Sequence, residues 1–331
     1  MRLRRVSPHQ PGWTRARHGR GFSYRSANGL PLADDELQRV RDLVIPPAWT
    51  EVWICPFPNG HLQCVGRDEA GRRQYLYHPA WREQQDAEKF ERVRTMARKL
   101  PAVRRELRTA LDRTGPPDRE VALAAAVRLV DLGCFRLGDD AYTDAYGSHG
   151  LTTLERRHLS TTDEGVAFAF IGKSGVDQLI EVTDPRVCRV VRSMARSRRR
   201  DSRLLCFRDG RRWEPLAAED INSAIRDLFD LDVTAKDFRT WHATVRVAAA
   251  LGSVERAASV SGRARQVRAA VVAASELLGN TPTVARGSYV DPRVIDLFEH
   301  DESIAASISR LDADPQVAED QLDRAVVRLL S

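Results

Sequence analysis

The spacing of hydrophobic positions changes along the chain. Through the first eighty residues they come in short runs with aromatic or β-branched members: Glu51–Pro56, His61–Val65 and Arg73–Tyr77. Asn59-Gly60 and Glu69-Ala70-Gly71 supply turns, and Pro46-Pro47 precedes the first run, so this stretch reads as β-rich. From about Ala80 the period becomes helical. It predicts helices over Gln84–Leu100, Ala102–Arg113 and, after the breaker Gly115-Pro116-Pro117, Arg119–Phe135. The last has a nearly continuous apolar stripe and should be buried. Gly165–Ile171 and Asp177–Val182 then alternate on either side of Gly172-Lys173-Ser174-Gly175, which predicts a hairpin with Lys173 near its tip. Asp184-Pro185 is a helix start, a capping side chain followed by proline at the first helical position. Helices are predicted from there to the end, with starts at Thr234, Ser253 and Thr281-Pro282. The fold class is α+β: a small β-rich N-terminal domain, then from residue 81 to 331 a larger, mainly helical one with a small antiparallel sheet.

Composition narrows the setting. Of 331 residues, 42% are hydrophobic and 30% charged, which excludes a disordered or collagen-like chain. The longest apolar run, Val121–Val127, is far short of a bilayer span. Met1–Arg5 is basic without a hydrophobic stretch behind it, so no secretory signal is expected. The cysteines, Cys55, Cys64, Cys134, Cys188 and Cys206, are odd in number and scattered singly. That argues against a disulfide framework and for a reducing cytoplasm.

The net charge is +6, and only Lys89, Lys99, Lys173 and Lys236 among the 52 cations are lysines. Arg189–Arg212 holds ten arginines against Asp201 and Asp209, whereas the chain from Glu299 onward turns acidic. Any single arginine is by default a solvated one. A block this dense favours a polyanionic partner such as DNA over a membrane, because no Trp/Phe face accompanies it.

Several chemistries are missing. There is no Gly-x-x-x-x-Gly-Lys-Ser/Thr loop, no Gly-x-Gly-x-x-Gly, no His-Glu-x-x-His and no Gly-x-Ser-x-Gly, and no acidic triplet suggests a two-metal nuclease site. What remains uses arginine, lysine and tyrosine, with no cofactor expected. Tyr289 follows Thr281-Pro282 and Gly287-Ser288, where a short helix gives way to a loop. On spacing alone it covers a core edge. Arg136, Arg239 and Lys173 likewise read first as salt-bridge or turn residues.

Their context changes that reading. Phe-Arg-Leu-Gly at 135–138, Gly-Leu-Thr-Thr-Leu at 150–154, Phe-Ile-Gly-Lys at 170–173, Lys-Asp-Phe-Arg-Thr-Trp at 236–241 and Leu-Gly-Asn-Thr-Pro ending in Ser-Tyr at 278–289 resemble the type IB DNA topoisomerases. The match is to the small bacterial, poxvirus-like branch, in the family's order, over about residues 20–300. The resemblance implies relaxation of supercoiled DNA through a 3′-phosphotyrosyl intermediate, without ATP or an obligatory metal. Tyr289 would be the nucleophile, Arg136 and Arg239 would hold the non-bridging oxygens, and Lys173 would be the general acid. Asn280 stands where much of the family has histidine; an amide donates the same bond without titrating. His242 is no obvious substitute.

The resemblance also makes residues 21–80 a DNA clamp, with Arg67, Gln74, Tyr75 and Tyr77 at DNA-contacting positions and Tyr142 a further phosphate contact. Alternation puts Tyr75 and Tyr77 on one face, either toward a groove or as a hydrophobic sheet face. Residues 1–20 have no counterpart and are set apart as an extension. The implied partner is double-stranded DNA, encircled by a monomer in the bacterial nucleoid, with no membrane association. Two rivals share the fold: a tyrosine recombinase, disfavoured by Lys236 where recombinases usually carry histidine, and a non-catalytic duplex-DNA binder.

Overall fold

The computed structural model describes residues 2–140, 143, 147–196 and 199–331. The chain forms two compact units, Met1–Lys89 and Phe90–Ser331.

The first unit contains β1 (Trp13–His18), β2 (Gly21–Arg25), α1 (Asp34–Asp42), β3 (Thr50–Ile54), β4 (Leu62–Arg67) and β5 (Arg73–Tyr77). Its strands form one antiparallel sheet in the order β2-β1-β3-β4-β5. Trp13, Ile54 and Cys64, with Leu76 beside them, pack against Val40 of α1. The segment set apart as an extension therefore belongs partly to this sheet, since β1 pairs with both β2 and β3. Trp13 anchors it in the core. At Gly12 a Cβ would lie 2.1 Å from the Trp53 indole nitrogen, so only glycine fits. One buried aromatic in an arginine-rich stretch left little periodicity to read.

α2 (Pro79–Leu111) crosses the boundary between the units as a single helix, not the predicted pair broken at Pro101. Proline there removes one backbone bond, at a cost of about 3 kcal/mol. Leu100, Val103, Leu107 and Leu111 are all buried in one core on both sides of it. Each such burial contributes roughly 1.5–3 kcal/mol, so packing carries the helix through.

The second unit continues with α3 (Arg119–Gly133), capped by the Asp118 side chain, which accepts from the Val121 amide. β6 (Leu159–Thr161), β7 (Val166–Ile171) and β8 (Asp177–Val182) form an antiparallel sheet in sequence order. α4 (Pro185–Ala195) starts at Asp184 as predicted. A second hairpin, β9 (Cys206–Asp209) and β10 (Arg212–Pro215), interrupts the helices expected from there on. Six helices follow: α5 (Ala218–Phe229), α6 (Ala235–Gly252), α7 (Val260–Leu278), α8 (Pro282–Ser288), α9 (Pro292–Glu299) and the short α10 (Ala305–Ile308). The last element is α11 (Pro315–Leu329). Thr234 and Thr281 precede helices as expected, but Ser253 closes α6; the next start is Ser259, whose side chain accepts from Gly262.

The acidic segment has a structural explanation. Arg104 of α2 and Arg128 of α3 are fully buried. Arg104 pairs with Asp131 at 2.8 Å, Asp320 at 2.8 Å and Asp323 at 2.6 Å. Arg128 pairs with Asp131 and, at 2.8 Å, with Glu319. The Trp241 indole of α6 donates to Asp323 at 2.7 Å, and His242 meets Asp131 at 2.9 Å. The carboxylates of α11 are thus counter-charges inside the unit. Among the described residues no helix is long and apolar enough to cross a membrane.

Candidate active site

α3 delivers the first site residue. Cys134 ends the helix in the left-handed conformation, with φ of 50°. Phe135 then turns into the core and Arg136 emerges half-buried. Phe135 packs edge-on against Phe168, with centroids 5.2 Å apart, and stacks on Phe170 of β7. The strand leading to Lys173 is therefore anchored on the residue next to Arg136.

Two motifs separate in sequence are one structure here. The Leu151 amide donates to the Arg136 carbonyl and the Thr152 amide to that of Leu137, both at 2.7 Å. A Cβ on Gly150 would lie 2.5 Å from the Gly138 nitrogen, so the two backbones touch where glycines meet. Lys173 sits exposed at the tip of the β7–β8 hairpin, as the spacing predicted.

Arg239 comes from the first turns of α6 and is 4% exposed. It donates to the carbonyls of Cys134 and, at 2.8 Å, of Leu278. Its guanidinium lies 5.4 Å from the centroid of the Tyr289 ring. Tyr289 follows the last turn of α8, and its carbonyl accepts from the Thr244 hydroxyl of α6 at 3.3 Å. Asn280 lies just beyond Gly279, the left-handed cap of α7. Its Oδ1 accepts from Arg136, which leaves its Nδ2 buried without a partner.

Arg136, Lys173 and Arg239 line one narrow cleft with His149, Gln178 and Leu278. Arg136 bonds to Asn280, and Arg239 lies over Tyr289, so all five sequence-predicted residues are connected. No described carboxylate pairs with Arg136, Lys173 or Arg239, unlike Arg104 and Arg128. The site is a concentration of uncompensated positive charge, the requirement for holding an anion. Half-burial by itself raises the Tyr289 phenol. The charge and hydrogen bond of Arg239, with the charges of Arg136 and Lys236, outweigh it and hold the phenol below its ordinary value. Burial, and the repulsion of Arg239, lower Arg136 from the usual guanidinium value.

A family model described as the catalytic core of eukaryotic DNA topoisomerase I matches residues 78–313. A second, for the N-terminal domain of bacterial DNA topoisomerase IB, matches residues 21–68. The chain belongs to the type IB DNA topoisomerases. The DNA topoisomerase 1B of Acanthamoeba polyphaga mimivirus is 24% identical over 293 residues, covering 84% of each chain. As a type IB topoisomerase the protein is an enzyme that acts on DNA, and the α+β reading of its sequence agrees with that family's core.

The residues expected to touch DNA in the first unit divide. Tyr75 and Tyr77 are 41% and 37% exposed on the outer face of β5, their rings stacked 6.1 Å apart, while Leu76 faces the core. Both rings thus face solvent rather than the core of the sheet. Gln74 falls on the opposite face, bonded to Asp68 at 2.8 Å. Arg67 pairs with Glu51 at 2.7 Å and donates to the Gly71 carbonyl. Tyr142 lies outside the described residues. The arginine block also divides: Arg189 donates to the carbonyls of Leu111 and Arg113, whereas Arg192, Arg196 and Arg200 join Arg156 and Arg157 around an open hollow. Sequence reading passed over Thr244 and Gln178, because a buried hydroxyl and a strand amide carry no motif of their own.

Proposed function

We propose that this topoisomerase relaxes supercoiled duplex DNA by cutting one strand through a 3′-phosphotyrosyl link to Tyr289 and resealing it, without ATP or an obligatory metal ion. The Tyr289 oxygen attacks the phosphorus, the bond to the 5′-oxygen breaks, and Lys173 gives that oxygen its proton while the phenol proton goes to solvent. Resealing is the reverse, so the phosphodiester energy is kept in the covalent link. Arg136 and Arg239 hold the two non-bridging oxygens, where charge grows in the transition state. Asn280 donates its free N–H to one of them.

What carries this reading is the pair of guanidiniums without carboxylate partners beside a phenol held below its ordinary pKa. The enzyme acts as a monomer that encircles the duplex, with Tyr75, Tyr77 and Arg67 as a second grip, and works on the bacterial nucleoid in the cytoplasm. Purified protein with EDTA and no nucleotide is expected to relax plasmids of either supercoil sign. Tyr289→Phe is expected to bind DNA yet trap no covalent adduct. Strict dependence on Mg²⁺ or ATP, or relaxation by Tyr289→Phe, would overturn the mechanism. A need for paired specific sites would point to a recombinase, and unchanged plasmid topology to a non-catalytic binder.

A further inference from the structure

Gln178 lies on β8 directly across the ladder from Phe170, and its side chain reaches into the cleft that Arg136, Lys173 and Arg239 line. Two glycines hold it. At Gly172, the residue before Lys173, a Cβ would lie 2.8 Å from Gln178 Cγ. At Gly279, the residue before Asn280, a Cβ would lie 2.7 Å from both Gln178 Nε2 and Oε1. Contacts this short require bare backbone on either side. The Gln178 amide is therefore a wedge between the hairpin that carries Lys173 and the turn that carries Asn280. Beyond it the hairpin is open: Lys173, Ser174, Gly175 and Val176 are exposed, and both Ser174 and Gly175 have positive φ.

We infer that Gln178 is a positioning residue, which sets the distance of the Lys173 hairpin from the turn leading to Asn280 and Tyr289. The inference rests on the reading of Lys173 as general acid. Its side chain touches the two backbones and acts on the reaction only through Lys173. A small side chain at 178 leaves the hairpin anchored at Phe168 and Phe170 but free at the tip. A misplacement of about 1 Å in a reacting group costs roughly 10²-fold. Proton delivery is what suffers, because the hairpin tip loses its support, whereas the Asn280 turn stays held by its bond to Arg136 and by the Asn280 amide on the Ser275 carbonyl at 3.0 Å.

The test compares single-turnover cleavage of an ordinary phosphodiester with that of a 5′-bridging phosphorothiolate, whose sulfur leaves without an acid. Gln178→Ala is expected to slow the ordinary substrate roughly 10–100-fold and to cleave the thiolate at nearly the normal rate. Gln178→Met, which keeps the length of the wedge, is expected to restore most of the rate. In a Lys173→Ala background, Gln178→Ala is expected to add nothing. A Gln178→Ala enzyme equally slow on both substrates, unaffected on both, or additive with Lys173→Ala would refute the inference. If Lys173→Ala itself is equally slow on both substrates, the general-acid reading fails first, and the two failures are distinguishable.

Discussion

Arg104 and Arg239 are both buried guanidiniums, 0% and 4% exposed. Arg104 meets Asp131, Glu319, Asp320 and Asp323. Arg239 meets two carbonyls and a tyrosine ring, and its Nε has no partner. A buried charge without a counter-charge is costly unless an anion completes it. In a chain with 48 arginines, residue type does not separate these two roles; the motif Lys-Asp-Phe-Arg does. Arg136, Lys173 and Tyr289 were legible in the same way, through ordered motifs. The bond from Arg136 to Asn280 was not, because it joins residues 144 apart. That bond orients the amide, Oδ1 toward Arg136 with Nδ2 left buried and unpartnered, and so makes a prediction. Asn280→Asp, which replaces the free donor with a negative acceptor, is expected to lower single-turnover cleavage by at least the roughly 10²–10³-fold typical of one lost oxyanion donor. Asn280→His keeps a donor and is expected to stay within about tenfold of the parent, a margin small beside that loss. Equal losses for both variants would remove Asn280 from the phosphate.

Elements whose signals are local were read correctly. Asp184-Pro185, Thr281-Pro282 and the turn holding Lys173 need only neighbouring residues to specify them. Elements specified by distant contacts were not. α2 passes through Pro101 because its apolar stripe is buried on both sides, β1 joins its sheet through Trp13, and β9–β10 lies hidden in the arginine block with only Phe207 and Trp213 as aromatic cues. The buried cluster between α2, α3, α6 and α11 is of this distant kind. Within it, Asp131 is fully buried, yet Arg104 and Arg128 hold its carboxyl well below the usual range. Burial instead pushes Asp323 up, against the pull of Arg104. Asp131 therefore stabilises the fold at neutral pH and loses that effect only as pH falls through its own depressed value, after Asp323 has already taken a proton. Asp131→Asn removes the one carboxylate that Arg104, Arg128 and His242 share at the centre of the cluster and is expected to cost about 3–5 kcal/mol. Asp323→Asn keeps an acceptor for Trp241 and is expected to cost less than about 1.5 kcal/mol. Urea unfolding of both variants at neutral pH measures the difference, and equal costs would contradict this division.

Over the whole molecule, the net charge of +6 is unevenly spread. Carboxylates of α11 are spent on buried arginines, whereas the hollow lined by Arg156, Arg157, Arg192, Arg196 and Arg200 has Glu155, paired with Arg157 at 2.7 Å, beside it and stays net positive. If that surface holds duplex phosphates, the logarithm of affinity falls with the logarithm of salt by about 0.9 per phosphate neutralised. Arg196→Ala with Arg200→Ala is expected to flatten the slope by one to two such steps, each about 0.9, in a binding titration across salt. An unchanged slope would return these side chains to ordinary solvated surface. The same buried cluster also has a consequence for how the protein is made. Arg104 and Asp323 are 219 residues apart. At 5–20 residues per second, roughly 10–40 s pass on the ribosome between the two. Until Asp323 emerges, Trp241 lacks the acceptor that ties α6, and with it Arg239, to the rest of the core. A chain that ends short of residue 323 therefore lacks the brace on the helix that carries Arg239.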